Sequence, residues 1–198
     1  MPNITLRRAT PEDAPAMLEI FRYYVEHTAV TFAYEPPSPE TFREALCRRM
    51  ERYPCLVAEE DGVVLGYAYA SPFKAGDAYD WAVETTLYLR RDAQGKGLGR
   101  LLHDGLENAL RRQNILLMNA CIAVTELPDP HLTNQSMEFH SHMGYRVTAR
   151  FDRCGYKFHR WYDMIWMEKA LGDRDRPPLP VIPFPQVEDD DRQVSPQS

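Results

Sequence analysis

A glycine-rich turn, Gln94-Gly95-Lys96-Gly97-Leu98-Gly99-Arg100, lies directly between a strand pattern and a helix pattern. The strand pattern covers residues 81–89, and the helix pattern extends from the turn to about Gln113. Three glycines within five residues cost up to about 1 kcal/mol each in a helix, relative to alanine. At a helix N-terminus, however, glycines leave backbone N–H groups open to an anion, and Lys96 and Arg100 add positive charge. The turn therefore predicts a site for a phosphate or pyrophosphate group.

The common nucleotide-binding motifs do not match this turn. A P-loop requires G-x-x-x-x-G-K-[ST], whereas Gly99 is followed by Arg100-Leu101. A dinucleotide fingerprint requires G-x-G-x-x-G, whereas the glycines here are spaced G-x-G-x-G and lie in the middle of the chain. Neither motif therefore fits, and the alternative to a phosphate site is a helix start that merely tolerates glycine.

The helix after the turn is strongly amphipathic. Its predicted apolar face contains Leu98, Leu101, Leu102, Leu106, Ala109 and Leu110. Its predicted polar face contains His103, Asp104, Glu107, Asn108 and Arg111. We expect the leucines to pack against a sheet.

The remaining patterns predict one mixed α/β domain. Strand patterns cover residues 4–8, 55–59, 63–71, 81–89, 116–123, 145–151 and 161–169. Helix patterns begin after Thr10, after the Pro36-Pro37-Ser38-Pro39 stretch, after the glycine-rich turn and near Thr133. Such an order is typical of a domain built around one sheet, which we place at residues 1–171. Residues 172–198 form a Pro-rich acidic tail that we expect to be extended or disordered, and the alternative is a strap across a neighbouring subunit.

Composition excludes several classes of protein. The 198 residues carry a formal net charge of −6, of which the tail after Leu171 accounts for half. The nearly balanced domain argues against a nucleic-acid partner, which requires an excess of Lys and Arg. No apolar run approaches the ~20 residues of a membrane span, and the N-terminus lacks an apolar signal segment. The four cysteines form no C-x-x-C pair, so we expect a cytoplasmic protein without a bound metal or a membrane partner.

At this point the residues resemble a known family. The turn matches the Q/R-x-x-G-x-G/A acetyl-CoA loop of the GNAT N-acetyltransferases, and the chain is similar to their phosphinothricin acetyltransferase-like branch. Further matches, spread over about residues 3 to 170, include Asn3–Thr10, Phe32–Pro36, Lys74, Ala78–Trp81, Glu84, Phe139-His140, Met143–Tyr145, Gly155–Phe158 and Trp161–Asp163. The resemblance implies a GNAT-type mixed, mostly antiparallel sheet of about seven strands with four helices. It also implies acetyl-CoA as cosubstrate and a homodimer.

Glu84 is the most unusual carboxylate in the sequence. It shares a strand face with Ala82, Thr86 and Tyr88, in the middle of the sheet, where an acid is unexpected. Desolvation there would raise its pKa, which suits a general base. The alternative is a carboxylate that pairs with a nearby cation or lies exposed at an edge. The resemblance implies that Glu84 is the catalytic base.

His140 is the second candidate catalytic residue. It shares a face with Ser136 and Met143 on a short helix for which Thr133 is the expected N-cap. A lone histidine is more often structural, but the resemblance implies a general acid close to the CoA sulfur.

The resemblance assigns the remaining site residues. Backbone groups of Leu87, Tyr88 and Leu89 would pair with the pantetheine arm, and one of these N–H groups would polarise the thioester carbonyl. The predicted cofactor set is completed by Gln94, Gly95, Lys96, Gly97, Leu98, Gly99, Arg100, Asn134 and Ser136. In the family motif N-x-x-[AS], however, the Asn position is occupied here by Thr133.

On the acceptor side, the resemblance implies that the lining residues are Phe32, Tyr34, Glu35, Phe73, Lys74 and Tyr79. The branch often has W-K-x-R-x-A-Y where this chain has Phe73-Lys74-Ala75-Gly76-Asp77-Ala78-Tyr79. Gly76 therefore removes a bidentate anchor for a substrate carboxylate or phosphinate. The later aromatic residues, Tyr156, Phe158, Trp161, Tyr162 and Trp166, are expected in the core and in a subunit contact.

These residues together predict an acetyl-CoA-dependent N-acetyltransferase. Its acceptor would be the amine of a small amino-acid-like molecule, attacking directly in a ternary complex, and a covalent route through Cys121 is disfavoured. Two alternatives stay open: a protein or peptide N-acetyltransferase, and a non-catalytic acyl-CoA-binding sensor. A sensor would keep the glycine-rich turn but release no CoA with any acceptor.

Overall fold

The fold is given by a computed structural model that describes residues 4–187. Its seven strands are β1 (Ile4–Arg8), β2 (Cys55–Glu60), β3 (Val63–Pro72), β4 (Ala82–Leu89), β5 (Leu117–Val124), β6 (Arg146–Lys157) and β7 (Arg160–Ala170). The α-helices within the described range are α1 (Ala14–His27), α2 (Pro39–Met50), α3 (Leu98–Arg112) and α4 (Gln135–His142). Short 3-10 turns occupy Pro11–Asp13, Asp77–Tyr79 and Arg91–Ala93. The predicted mixed α/β architecture with a seven-stranded sheet is confirmed, and one helical turn at 184–187 adds a fifth helical segment to the four predicted.

One sheet contains all seven strands, in the order β1-β2-β3-β4-β5-β7-β6. Every neighbouring pair is antiparallel except β4 and β5, which run parallel. The parallel pairing is short, since it begins at Ala82 with Leu117 and ends at Glu84 with Asn119. Both strands continue for five further residues, so they diverge and leave a gap in the sheet.

Helices cover both faces of the sheet because the strands alternate between two apolar clusters. Leu56 and Ala58 of β2 pack with α3, while Cys55 and Val57 pack with α1 and α2. Four leucines of α3 belong to the same apolar cluster as Leu56 and Ala58, and each is 0–2% exposed: Leu98, Leu102, Leu106 and Leu110. Burying one such leucine is worth about 1.5–3 kcal/mol, so this face fixes α3 and the turn before it.

Two residues of α3 are on the wrong face in the sequence prediction. Leu101 is 37% exposed, whereas His103 is 3% exposed. The imidazole of His103 is buried because its Nε2 lies 3.3 Å from the hydroxyl of Tyr145, a partner that is distant in sequence. Helical periodicity treats histidine as a polar residue. It gives no information on a hydrogen-bond partner that another element supplies.

The end of the chain packs against the domain over part of its length. Residues 172–183 have no regular secondary structure and lead into one helical turn at 184–187. Phe184 and Val187 are buried, and Gln113 Nε2 donates to the Ile182 carbonyl at 2.8 Å. The division at Leu171 stays a prediction, and residues 188–198 of the predicted tail lie outside the described residues.

No helix in the described part of the chain is both long enough and apolar enough to cross a bilayer.

Candidate active site

The divergence of β4 and β5 opens a cavity of about 240 Å³, here called the strand cavity. It is lined by Glu84–Tyr88 of β4, Ala120–Ala123 of β5, residues 30–32 of the α1–α2 loop, Ser136 and His140 of α4, and Met164. A second cavity of about 450 Å³, the turn cavity, lies between β4, α4 and the glycine-rich turn. The two cavities share Val30, Leu87, Ser136 and His140, so they adjoin each other.

Glu84 occupies the last paired position before the strands diverge. Its half-buried side chain lines the strand cavity, and it forms no ion pair with any of residues 4–187. Burial raises the pKa of Glu84, while the positive charge of Lys74 partly opposes the shift. The carboxylate is therefore a stronger base than an ordinary glutamate at the surface.

His140 faces both cavities from α4. Its Nδ1 lies 2.7 Å from the Ser136 carbonyl oxygen, which can only accept, so Nδ1 carries the proton. Burial lowers the pKa of His140, so the ring is mostly neutral near pH 7 and Nε2 has a free lone pair. The imidazole packs edge-on against the Tyr145 ring at 4.9 Å between centroids.

The glycine-rich turn adopts the conformation that its sequence predicts. Gly95 and Gly97 have φ values of +76° and +79°, and Gly97 is the N-cap residue of α3. The N–H of Leu101 donates to the Gly97 carbonyl, so the N–H groups of residues 98–100 precede the first helical hydrogen bond. Leu98 is in the core, so its backbone alone can reach a ligand, whereas the side chains of Lys96 and Arg100 are exposed.

Asn134 requires a correction. Its side chain does not line either cavity, because its Oδ1 accepts from Thr125 N at 3.1 Å and its Nδ2 donates to Thr125 O at 2.8 Å. Asn134, and not Thr133, is also the N-cap residue of α4. Thr133 and Ser136 do line the turn cavity. The amide of Asn134 thus ties the β5–α4 loop together and is not free to bind a ligand.

The predicted acceptor residues fall into three groups. Phe32 lines the strand cavity with Glu84 and His140. Phe73, Lys74 and Tyr79 cluster on the β3–β4 loop, where Phe73 packs against Trp166 and Tyr79. The third group, Tyr34 and Glu35, is exposed and does not line either cavity.

Gly76, on the same loop, has φ +116°, a conformation that other residues rarely adopt. The loop backbone would therefore resist an arginine at this position.

Three residues near the site were not predicted. Tyr24 of α1 donates its hydroxyl to the Leu89 carbonyl at 2.7 Å and lies 3.3 Å from Gln94 Nε2. The Tyr145 ring packs against His140. The ammonium of Lys74 lies over the Trp166 ring, 5.4 Å from the ring centroid. Tyr145 lies in a stretch that matches the family and Trp166 was expected in the core or a subunit contact, but no pattern placed either residue, or Tyr24, beside the site, since each reaches it from a separate element. No cluster of three His, Cys, Asp or Glu suited to a metal was found among residues 4–187.

Comparison with known proteins identifies the family. Residues 6–166 match the family described as an Acetyltransferase (GNAT) domain, so the chain belongs to the GNAT acetyltransferases, which use acetyl-CoA as cosubstrate. It is 36% identical over 184 residues to a phosphinothricin N-acetyltransferase of Streptomyces viridochromogenes, a match that covers 93% of this chain and 96% of the relative. It is 33% identical over 177 residues to an L-methionine sulfoximine/L-methionine sulfone acetyltransferase of Salmonella typhimurium, covering 88% and 98%.

A solved structure supports the same placement. The crystal structure of a GNAT superfamily phosphinothricin acetyltransferase from Sinorhizobium meliloti, in complex with acetyl-CoA, matches with a TM-score of 0.81 and 31% identity. The match covers 89% of this chain and 93% of that one. The predicted phosphinothricin acetyltransferase-like branch is confirmed.

Proposed function

We propose that this protein transfers an acetyl group from acetyl-CoA to the amine of a small amino-acid-like acceptor. The observation that carries the proposal is the position of Glu84 and His140 in one cavity, at the point where β4 and β5 diverge. Relatives that act on phosphinothricin or on methionine sulfoximine support this class of acceptor.

In this proposal acetyl-CoA spans the two cavities. Its pyrophosphate binds the free N–H groups of residues 98–100, with Lys96 and Arg100 adding charge. Its pantetheine arm runs along Leu87–Leu89, because β4 has no strand partner on that side beyond Glu84. The Gln94 side chain contributes by holding Tyr24 against the Leu89 carbonyl. The thioester then reaches the strand cavity next to His140.

The chemistry is direct transfer in a ternary complex. Glu84, whose pKa is raised, removes a proton from the acceptor ammonium, and the free amine attacks the thioester carbonyl. A carbon–nitrogen bond forms, the carbon–sulfur bond breaks, and the amine nitrogen loses its second proton. Neutral His140 carries no proton on Nε2, so it first takes up this proton and then delivers it to the departing thiolate.

The acceptor would lie with its ammonium at Glu84 and its carboxylate towards Lys74. Lys74 is close enough to lower the pKa of Glu84 and packs over Phe73 and Trp166, so its charge is held beside the site. An acceptor that depends on a second, bidentate cation would bind weakly, because Gly76 provides none.

We also propose a homodimer through the β6–β7 hairpin. Val147, Phe151 and Trp161 of this hairpin are 47–59% exposed, and exposed apolar side chains are candidates for a subunit contact. Light scattering after size exclusion would test this proposal, and Trp161→Glu should yield monomers. A cytoplasmic location stays a prediction.

The decisive assay measures CoA release across a panel of amino acids, methionine sulfone and sulfoximine, phosphinothricin and short peptides. We expect turnover with at least one amino-acid-like acceptor, and Glu84→Gln should lower kcat about 10²–10⁴-fold at pH 7 while acetyl-CoA binding persists. Glu51→Gln, an exposed change outside the site, is the matched control. Release with peptides alone would favour a peptide N-acetyltransferase, and no release with any acceptor would favour an acyl-CoA sensor.

A further inference from the structure

Lys157, near the end of β6, is a buried lysine. It is 3% exposed, and no carboxylate pairs with it within the described range 4–187. Its ammonium instead donates to three backbone carbonyls, those of Val25 at 2.7 Å, Thr28 at 2.8 Å and Thr31 at 2.8 Å. Each ammonium proton therefore has its own acceptor, which compensates part of the cost of burial.

The three carbonyls lie where α1 ends and the α1–α2 loop begins. Val25 is in the last turn of α1, and Thr28 is its C-cap residue. Carbonyls at a helix C-terminus lack intrahelical donors and carry the negative end of the helix dipole, so a cation stabilises them. Because Thr31 belongs to the loop itself, the ammonium binds both the helix end and the loop to β6.

The two residues before Lys157 hold the same loop. The hydroxyl of Tyr34 donates to the Tyr156 carbonyl at 2.5 Å. Gly155 lies directly under the Phe32 ring, and a methyl group added at Gly155 would overlap that ring. Three consecutive β6 residues thus contact the loop. Gly155 packs closely against Phe32, the Tyr156 carbonyl accepts a hydrogen bond from Tyr34, and the Lys157 ammonium binds the loop main chain.

This loop supplies one wall of the strand cavity. Val30, Thr31 and Phe32 all line it, together with Glu84 and Cys121. The loop contributes Thr28 and Val30 to the turn cavity, whereas Thr31 and Phe32 line the strand cavity and not the turn cavity. Movement of the loop would therefore alter the acceptor side more than the acetyl-CoA side.

We propose that Lys157 is a positioning residue that fixes the α1–α2 loop as the acceptor wall and thereby sets acceptor affinity. The proposal rests on the proposed function in one respect, namely that the strand cavity binds the acceptor. Lys157 itself lines neither cavity of the candidate active site and acts through Thr31 and Phe32.

The test compares Lys157→Met with Lys169→Met. Methionine keeps the length and removes the charge, and Lys169 is a partly buried lysine that pairs with Glu107 away from the loop. For Lys157→Met we expect the acceptor KM to rise about tenfold or more, since hydrogen bonds to a charged group are lost, while the acetyl-CoA KM stays within about twofold. Lys169→Met should change neither KM. Equal rises in both KM values, or an unchanged acceptor KM, would overturn the proposal.

A second measurement does not depend on the acceptor. Ala29 N–H donates to the His131 carbonyl, so hydrogen exchange of the peptide that contains it reports on the loop. In Lys157→Met we expect this peptide to exchange roughly tenfold faster, with α3 unchanged. Unchanged exchange would refute the loop-fixing role even if no acceptor were found, whereas a wild-type protein without acetyl transfer would refute only the proposed function.

If Lys157→Met does not fold, Gly155→Ala carries the test. The added methyl displaces Phe32 without removing a charge, so the acceptor KM should rise while the acetyl-CoA KM stays constant. An acceptor KM equal to that of the wild type would contradict the proposal.

Discussion

Substituting Tyr145 separates a structural hydroxyl from a ring that supports the candidate active site. The hydroxyl lies 3.4 Å from Thr85 Oγ1 and 3.3 Å from His103 Nε2, in a region where both partners are buried. The ring packs edge-on against His140. Tyr145→Phe removes the hydroxyl and keeps the ring, whereas Tyr145→Leu removes both.

The expected magnitude follows from the groups left without partners. His103 Nδ1 already has no hydrogen-bond partner in the described structure, and Tyr145→Phe leaves Nε2 without one as well. An orphaned buried polar group costs about 1–3 kcal/mol, and the long distances here favour the lower half of that range. A loss of about 1–2 kcal/mol in a protein of this size lowers Tm by roughly 2–8 °C.

Thermal unfolding and CoA release distinguish the two roles. We expect Tyr145→Phe to lower Tm while kcat changes less than about threefold, because the ring still packs on His140. Tyr145→Leu should lower both. Tyr69→Phe is the control, since the Tyr69 hydroxyl forms no hydrogen bond within residues 4–187. A kcat for Tyr145→Phe as low as that for Tyr145→Leu would refute the reasoning, because the hydroxyl would then take part in the chemistry.

Two further predictions concern pH and the end of the chain. Because burial raises the pKa of Glu84 and the base must be ionised, kcat/KM should fall as the pH drops through a value above that of an ordinary glutamate, and Glu84→Gln should abolish this limb of the pH–rate profile. The folded state then binds this proton more tightly than the unfolded state, so Glu84 lowers stability above its pKa and Glu84→Gln should raise Tm at pH 7; a lower Tm would contradict the shift. Truncation after Leu171 removes the buried Phe184 and Val187 and should cost about 3–6 kcal/mol, or roughly 6–24 °C in Tm. Truncation after Val187 is the matched control, and equal Tm values for the two truncations would show that the segment does not stabilise the domain.

The parts of the fold that follow local patterns could be predicted. The glycine-rich turn, the leucines of α3 and the alternation of the strands each depend on residues close in sequence, and the structure contains all three. Glu84 was identifiable because it is the one charged residue in the strand pattern of residues 81–89. Its location in a cavity was not, because the divergence of β4 and β5 depends on how two distant strands pair.

The errors share one physical origin. His103 was assigned to the solvent face from helical periodicity, and Asn134 to the cofactor from the family resemblance, and neither source shows the partner of the side chain. The partners, Tyr145 and the Thr125 main chain, come from other elements. A polar side chain can be buried wherever another element supplies its hydrogen-bond partner. Sequence periodicity carries no information on that partner.

The short parallel pairing of β4 and β5 links binding to catalysis. Had the strands stayed paired to their ends, the N–H and C=O groups of β4 would bond to β5, and no added strand could pair with them. Glu84 would then lie inside a continuous sheet, where no substrate could reach it. Ending the pairing at Glu84 leaves the carboxylate partly desolvated at the apex of the gap and leaves the strand edge beyond it open. The same interruption thus creates the backbone surface proposed for the pantetheine and opens a cavity beside Glu84, the residue proposed to activate the amine. A substitution that restored the pairing beyond Asn119 should therefore weaken acetyl-CoA binding and catalysis together.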